Sequence, residues 1–213
     1  MKRSAPGADE GPPNKKSAPE EAAPAEAAAS STPLTESRSA PKRLLGELKL
    51  AQKIGFDPDT QLTIGLIDDS NVYKWKCEKK YTDSADNSPQ QQRIYEGLQK
   101  MGKDTLTYHL VFNDEYPFKP PFVYLHHPHL QNTNVFGGGG ICAQQISQQK
   151  NNGWSPALNV KTLMVALTTL PETYTDVSVR PGDYDGNTEE SARRDWVKIE
   201  KAHPVWPTNK TRS

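Results

Sequence analysis

Cysteine occurs only twice in the chain, and one of the two stands in a context that suggests chemistry. Cys142 comes just after four consecutive glycines, Gly137–Gly140, and is followed by the polar run "AQQISQQKNNG". A stretch this polar is unsuited to a core, so we expect the Cys142 thiol to be at least partly accessible. Cys77 lies in the alternating run "VYKWKCEKK", on the face of Tyr73 and Trp75, and is predicted to be an inert core thiol.

Three chemical roles for Cys142 can be weighed: a buried core thiol, a metal ligand and a nucleophile. His126, His127 and His129 lie close together in the sequence, but they offer no helical i, i+4 pair and no CxxC motif accompanies them. A metal site is therefore disfavoured, and no metal ion is predicted. The glycine run is not interpreted as a phosphate-binding loop either, because no Gly-Lys-Ser/Thr follows it.

The nucleophile interpretation accounts best for the glycine run. Glycines let the backbone approach a reacting chain closely, and their N–H groups can meet developing negative charge. A Cys–His protease stays open as an alternative at this point, since the chain has five histidines. None of the five stands in a context that identifies a general base.

Charge and hydropathy exclude several classes of partner. The formal net charge of the 213 residues is zero, so no strong field points to nucleic acid or to anionic lipid. No run approaches the roughly 18 apolar residues of a membrane span, and the N-terminus lacks an apolar signal region. We therefore expect a non-secreted protein of the cytoplasm, the nucleus or both, with free cysteines. Lys2-Arg3 and Lys15-Lys16 are spaced like a bipartite nuclear signal, with plain solvated charge as the alternative.

Composition divides the chain into a tail and one domain. Residues 1–41 hold seven of the eighteen prolines, and no aromatic residue precedes Phe56. Such a segment buries too little apolar surface to offset its ordering entropy, so residues 1–41 are predicted to be a disordered N-terminal tail. Residues 42–207 are predicted to form the core domain, and residues 208–213 a C-terminal tail.

Local patterns predict helices and strands of an α+β fold. Helices are expected from about Lys42, after Ser88, after Asn159 and after Asn187, where Glu190 would complete a capping box. Strands are expected at "QLTIGLI", "VYKWKCEKK", "TLTYHLVF" and "FVYLHH". Strands followed by helices favour helices packed on an antiparallel sheet. In the turn "NDEYPFKPP" we predict a cis bond, at Tyr116–Pro117 before any other.

Four motifs in order carry a family resemblance. "YPFKPPFVYL", "HPH", "GGICAQQI" and "GWSPAL" resemble the Tyr-Pro-Phe-x-Pro-Pro, His-Pro-Asn, Gly-x-Ile-Cys and Trp-Ser-Pro-Ala motifs of ubiquitin-conjugating enzymes. The resemblance covers about Lys42 to Pro207 and is nearest to the Q-type members, which share the glycine-rich approach to the cysteine. It implies the ubiquitin-conjugating fold, a four-stranded antiparallel sheet with an N-terminal helix and C-terminal helices.

The resemblance also implies an activity. An activating enzyme would pass ubiquitin, or a ubiquitin-like modifier, to Cys142 as a thioester. An amine of a protein substrate, usually of lysine, would then attack that thioester, with or without a ubiquitin ligase. This makes the chain a transferase without a cofactor of its own. The alternative is a catalytically weak or inactive module of the same fold that binds ubiquitin or a ligase.

The resemblance extends to supporting residues. His129 stands where the family has the asparagine of His-Pro-Asn, which supports the active-site loop and the oxyanion. An imidazole can donate one hydrogen bond and could take over the oxyanion role, with a loop-bracing role without chemistry as the alternative. Asn132, Asn134 and the glycine N–H groups are rival donors to the oxyanion. Glu172, Asp176 and Asp183 are the candidates for an acidic residue that orients the incoming amine, with a solvated loop carboxylate as the alternative for each. Four residues match the family's ligase-contact surface: Arg43, Phe118, Pro156 and Ala157. A lysine common in the family three residues after that arginine is Gly46 here.

Overall fold

The computed structural model describes residues 39–146, 153–182 and 185–202. Within these ranges the main elements are α1 (Ser39–Ile54), β1 (Phe56–Asp57), β2 (Leu62–Leu66), β3 (Lys74–Lys80), α2 (Pro89–Gln99), β4 (Thr105–Val111), β5 (Phe122–His127), β6 (Leu130–Gln131), α3 (Val160–Thr169), β7 (Ser178–Val179) and α4 (Glu189–Ala202). Short 3-10 turns lie at Gln144–Ile146 and Pro171–Thr173. Residues 1–38 of the predicted tail, and 203–213 at the other end, lie outside the described residues.

A five-stranded antiparallel sheet in the order β1-β2-β3-β4-β5 forms the centre of the domain. The four strands expected from the sequence are β2 to β5, and the two residues of β1 add a fifth at the edge. Trp75 lies opposite Leu110, and Leu110 opposite Val123, so strand alternation points one row of side chains from three strands into the core. A separate pair, β6 with β7, brings Leu130 opposite Val179.

Three helices contribute side chains to the core that covers the inner face of this sheet. One cluster of buried residues joins Leu44 of α1, Leu98 of α2 and Leu163 of α3 to Trp75 and Cys77 of β3. Cys77 is completely buried, which confirms its prediction as a core thiol, and burial raises the pKa of that thiol. No helix in the described ranges has both the length and the apolar content that a membrane span requires.

The last of the described helices, α4, contacts the outer face of the sheet at β5. The guanidinium of Arg193 lies 4.3 Å from the centre of the Phe122 ring, and Trp196 meets the same ring edge-on. Phe122 precedes the inward-facing Val123, so alternation turns it to the opposite face. Helix α4 is thereby placed beside the edge strand that leads towards Cys142.

Helix caps follow the predictions in two cases and differ in a third. Ser88 caps α2, and Asn159 accepts a hydrogen bond from the Thr162 N–H at the start of α3. Before α4 the cap is Thr188 and not Asn187: the Thr188 hydroxyl accepts from the Ser191 N–H, while the Ser191 hydroxyl accepts from the Thr188 N–H. The prediction of an Asn187 cap is wrong because the Asn187 side chain contacts β5 instead, where its amide donates to the Leu125 carbonyl.

Within the described ranges two X-Pro bonds are cis, Tyr116–Pro117 and His127–Pro128. The first confirms the prediction for the turn between β4 and β5. The second joins His127, the last residue of β5, to Pro128, which directly precedes His129.

Candidate active site

Cys142 ends a short hairpin, residues 134–142, which we call the cysteine hairpin. Val135 pairs with Ile141 in an antiparallel bridge, and the Phe136 N–H donates to the Gly140 carbonyl at 2.8 Å. At the end of the hairpin the Cys142 N–H donates to the carbonyl of Asn134, also at 2.8 Å. The backbone of the candidate nucleophile is thus fixed by main-chain hydrogen bonds, while its side chain stays half-buried.

The glycine run packs against other parts of the domain. The Gly138 N–H donates to the Asp195 carboxylate of α4 at 2.7 Å, and the Gly139 N–H donates to the Phe136 carbonyl at 2.9 Å. A Cβ added to Gly140 would lie 2.6 Å from the Cβ of Asp195. The expectation that these N–H groups are free for developing negative charge is therefore wrong for Gly138 and Gly139. Close contact with α4 and β5 is what requires glycine here.

Burial controls the titration of the two candidate catalytic side chains. Burial raises the pKa of the Cys142 thiol. Burial, and after it the charge of Arg180, lowers the pKa of His129. A thiolate–imidazolium pair requires the opposite shifts, with a lowered thiol pKa beside a charged histidine. A pair of Cys142 and His129 of the kind that a Cys–His protease uses is therefore disfavoured.

His129 is held by its backbone at the start of β6. Its carbonyl accepts from the Arg180 N–H at 2.9 Å, which continues the pairing of β6 with β7. His126 faces elsewhere: its Nδ1 lies 2.8 Å from the Asn187 carbonyl oxygen, and its ring stacks on His109 at 4.1 Å. Across the three described ranges, no three His, Cys, Asp or Glu side chains come together as a metal site.

Of the two asparagines considered as rival donors, Asn134 is the one that contacts Cys142. Its buried side-chain amide donates to the Cys142 carbonyl at 3.3 Å, and its side-chain oxygen accepts from the Thr133 hydroxyl. Asn132 has a positive φ of 56° and donates instead to the carbonyl of Asp176 at 3.1 Å. Asn134 therefore joins the backbone on both sides of the cysteine hairpin.

The three acidic candidates have different environments. Glu172 is an anchor, since its carboxylate accepts from the Tyr81 hydroxyl at 3.0 Å and from the Gln91 amide at 2.9 Å. The Asp176 side chain is 83% exposed and lies 3.7 Å from the Arg93 guanidinium. Asp183 lies outside the described residues. Among the candidates that the structure describes, Asp176 alone is open to a substrate.

The four residues of the predicted ligase-contact surface, which we call the docking face, are Arg43, Phe118, Pro156 and Ala157. Phe118 is 64% exposed, and Pro156 and Ala157 are exposed as well. Arg43 is different, because its guanidinium is partly committed to the domain: it donates to Glu47 at 2.5 Å and to the Leu158 carbonyl at 3.1 Å.

Glu47, which the sequence analysis did not single out, joins the three segments of the docking face. Besides Arg43, its carboxylate accepts from the Tyr116 hydroxyl at 2.8 Å and from the Val160 N–H at 2.6 Å. The Trp154 indole adds a second link by donating to the Pro117 carbonyl at 2.6 Å. The i, i+4 spacing of Arg43 and Glu47 was the only local sign of this arrangement, since the other partners are far along the chain.

Comparison with known proteins matches residues 43–180 to the family model described as ubiquitin-conjugating enzyme. Similar proteins include ubiquitin-conjugating enzyme E2 25 of Caenorhabditis elegans, which is 29% identical. The match covers 61% of this chain and 32% of that protein. Ubiquitin-conjugating enzyme E2 Q1 of Homo sapiens is also 29% identical, over 59% of this chain and 28% of that protein. The chain thus spans about a third of the length of these relatives.

Similar solved structures include the following two. Human ubiquitin-conjugating enzyme E2 G1 is 22% identical with a TM-score of 0.46, covering 61% of this chain and 92% of that one. A ubiquitin-conjugating enzyme E2 from Plasmodium falciparum is 23% identical with a TM-score of 0.45, covering 62% of this chain and 83% of that one. The family match covers most of the chain, and the observed sheet, N-terminal helix and later helices form the ubiquitin-conjugating fold. The chain belongs to the ubiquitin-conjugating enzyme family, and relatives such as E2 Q1 place it with the Q-type members.

Proposed function

We propose that the chain is an active conjugating enzyme that carries ubiquitin, or a ubiquitin-like modifier, as a thioester on Cys142. The observation that supports this most directly is the position of Cys142. Its backbone is fixed by hydrogen bonds to Asn134, while its thiol is half-exposed at the end of the hairpin. The second cysteine, Cys77, is fully buried and is no competitor for the modifier.

Charging exchanges one thioester for another. The sulfur of Cys142 attacks the carbonyl carbon that joins the modifier's C-terminal glycine to the activating enzyme's cysteine. A new C–S bond forms to Cys142, the bond to the activating enzyme breaks, and that enzyme's thiol is released with the proton from Cys142. Because the pKa of Cys142 is raised, the thiol is mostly protonated at neutral pH, and the reaction depends on the activated electrophile supplied to it.

Discharge passes the modifier to an amine. The neutral nitrogen of a substrate amine, usually of lysine, attacks the thioester carbon, and an amide forms as the C–S bond breaks. The amine loses a proton to solvent, and Cys142 leaves as a thiolate that is reprotonated. The step needs a donor for the oxyanion that develops on the carbonyl oxygen. We propose His129 for this role, because its lowered pKa keeps the ring neutral and able to donate one hydrogen bond.

The partners of the reaction follow from the same proposal. They are the modifier, an activating enzyme, a protein substrate and a ligase that contacts the exposed Phe118, Pro156 and Ala157. Neither nucleic acid nor a membrane is among them. We place the reaction in the cytoplasm, the nucleus or both, because free thiols suit a reducing compartment.

Charging is the experiment that tests this function. The protein is mixed with ubiquitin, the ubiquitin-activating enzyme and ATP, and the products are compared on reducing and non-reducing gels. We expect a thiol-sensitive adduct that Cys142→Ala removes and that the matched variant Cys77→Ala retains. In the same assay His129→Ala should charge normally and discharge slowly to free lysine. An adduct that persists in Cys142→Ala would contradict the assignment, and a protein that no modifier charges would instead be a binding module.

A further inference from the structure

Helix α2 interrupts the connection between β3 and β4 and packs against a segment that is distant in sequence. This segment, residues 171–180, runs from the 3-10 turn after α3 through β7. Gln91 donates to Glu172 near its start, and the Arg93 guanidinium donates to the Thr175 carbonyl in its middle. Near its end, a Cβ added to Gly97 would lie 2.7 Å from the Cβ of Val179. Helix α2 thus contacts segment 171–180 along its length.

The first of these contacts is made at Glu172, whose side chain is only 11% exposed. Its carboxylate accepts from Tyr81 at 3.0 Å and from Gln91 at 2.9 Å, and the Lys79 ammonium lies 4.0 Å away. A carboxylate this buried is tolerated only when it is hydrogen-bonded or paired, so the donors fix its position. Gln91 has a second contact, since its side-chain oxygen accepts from the Ser88 N–H and caps α2.

Segment 171–180 in turn holds the residues that lead to Cys142. Strand β7 pairs with β6, and the Arg180 N–H donates to the His129 carbonyl. The Asn132 side chain donates to the Asp176 carbonyl at 3.1 Å. Two residues further on, the Asn134 carbonyl accepts from the Cys142 N–H. Hydrogen bonds, strand pairing and two short stretches of backbone therefore connect α2 to the candidate nucleophile.

We infer that α2 is a positioning element for the reaction at Cys142, and that Gln91 is its principal positioning residue. By holding Glu172, Gln91 sets how segment 171–180 and residues 129–134 lie beside the thioester. This inference rests on the proposed function. Attack by an amine depends on placement within a fraction of an ångström, so a loosened segment slows transfer. Charging is less affected, because the activating enzyme presents its own electrophile to the thiol.

The variant Gln91→Glu separates the two contacts of Gln91. A carboxylate at position 91 still accepts from the Ser88 N–H, so the cap of α2 is kept. It no longer donates to Glu172 and places a second negative charge beside it. Combining Gln91→Glu with Glu172→Gln restores one amide–carboxylate hydrogen bond with donor and acceptor exchanged. Gln92→Glu is the control, since it adds the same charge at the same end of α2, where the Gln92 side chain contacts Asn87 and Glu96.

Each variant is charged with ubiquitin, the supply of ATP is removed, and the loss of thioester to free lysine is followed in a single turnover. We expect all four proteins to charge to the same extent. Gln91→Glu should discharge about fivefold more slowly than wild type. An effect of this size is typical of substitutions at residues that act on a site without contacting it. Gln92→Glu should match wild type, and the double variant should return to within about twofold of it.

Three outcomes would overturn the inference. Discharge of Gln91→Glu at the wild-type rate would remove α2 from the reaction. A double variant as slow as Gln91→Glu would mean that transfer does not depend on the hydrogen bond between positions 91 and 172, because this variant restores that bond and has the net charge of wild type. Charging and discharge reduced together would assign it to the fold as a whole. If wild type itself forms no thioester, the proposed function fails, and the inference fails with it; if wild type charges, only the role of α2 is in question.

Discussion

The docking face and the cysteine hairpin belong to one domain but are held by different parts of the chain. Side chains hold the docking face: the Glu47 carboxylate and the Trp154 indole link its three segments. The cysteine hairpin is held mainly by backbone pairing and by glycines that admit α4 and β5 at close range. Removing side-chain atoms should therefore damage the docking face, whereas adding them should damage the hairpin.

The largest expected effect comes from adding one methyl group to the hairpin. Gly139 has a φ of 92°, and a Cβ there would overlap the Leu125 carbonyl oxygen. We expect Gly139→Ala to lower the free energy of unfolding by about 3–4 kcal/mol, from backbone strain and overpacking together. Urea denaturation at 25 °C measures this. Gly137→Ala is the matched control, because a Cβ at that position has no atom of the described residues within 4 Å other than those of residues 136–138. Equal stability of the two variants would break the comparison.

A smaller effect is expected from truncation at the docking face. Glu47→Ala leaves the Tyr116 hydroxyl and the Val160 N–H without their acceptor, which should cost about 2–3 kcal/mol of unfolding free energy. Gln52→Ala, at an exposed position on the same helix, should change stability by less than about 0.5 kcal/mol. The same denaturation curves give both values. If Glu47→Ala proved as stable as Gln52→Ala, the docking face would not depend on that carboxylate.

The third prediction concerns the pH dependence of the half-buried thiol in the hairpin. A raised pKa means that the thiolate fraction of Cys142 keeps rising as pH increases past neutrality. Alkylation of Cys142 by iodoacetamide should therefore accelerate about tenfold from pH 7 to pH 8, equivalent to about 1.4 kcal/mol, without levelling off below about pH 8.5. Mass spectrometry follows the reaction, and Cys142→Ala reports any labelling of Cys77. A rate that reaches a plateau near pH 7 would mean a lowered pKa and would reopen the protease interpretation.

The features that local sequence could predict are those that depend on neighbours along the chain. Alternation of side chains along "VYKWKCEKK" placed Cys77 in the core, and the Ser88 and Asn159 caps depend on N–H groups a few residues away. Four of the five central strands were also visible as alternating runs. The edge strand β1 was not, because two residues are too few to show a period.

Features that depend on distant partners could not be predicted in this way. The sequence indicates that Gly138 and Gly139 permit a close approach, but not that the approaching chain is α4 or β5. Glu172 was considered as an acidic residue that orients the incoming amine, because the sequence does not show that Tyr81 and Gln91 donate hydrogen bonds to its carboxylate. Likewise Glu47 is an ordinary helical glutamate until the fold brings the Tyr116 turn to it. In each case the residue type set what was possible and the tertiary structure selected one use.

The contact between the glycine run and α4 also determines when the candidate nucleophile takes its final form during synthesis. The ribosome releases the chain from its N-terminus, so Cys142 emerges well before Asp195. Until α4 arrives, the Gly138 N–H lacks its acceptor, and the hairpin lacks the surface on which Gly140 packs. A nascent chain therefore carries the Cys142 thiol before it carries α4, so the hairpin can take the arrangement described here only after α4 has been synthesised.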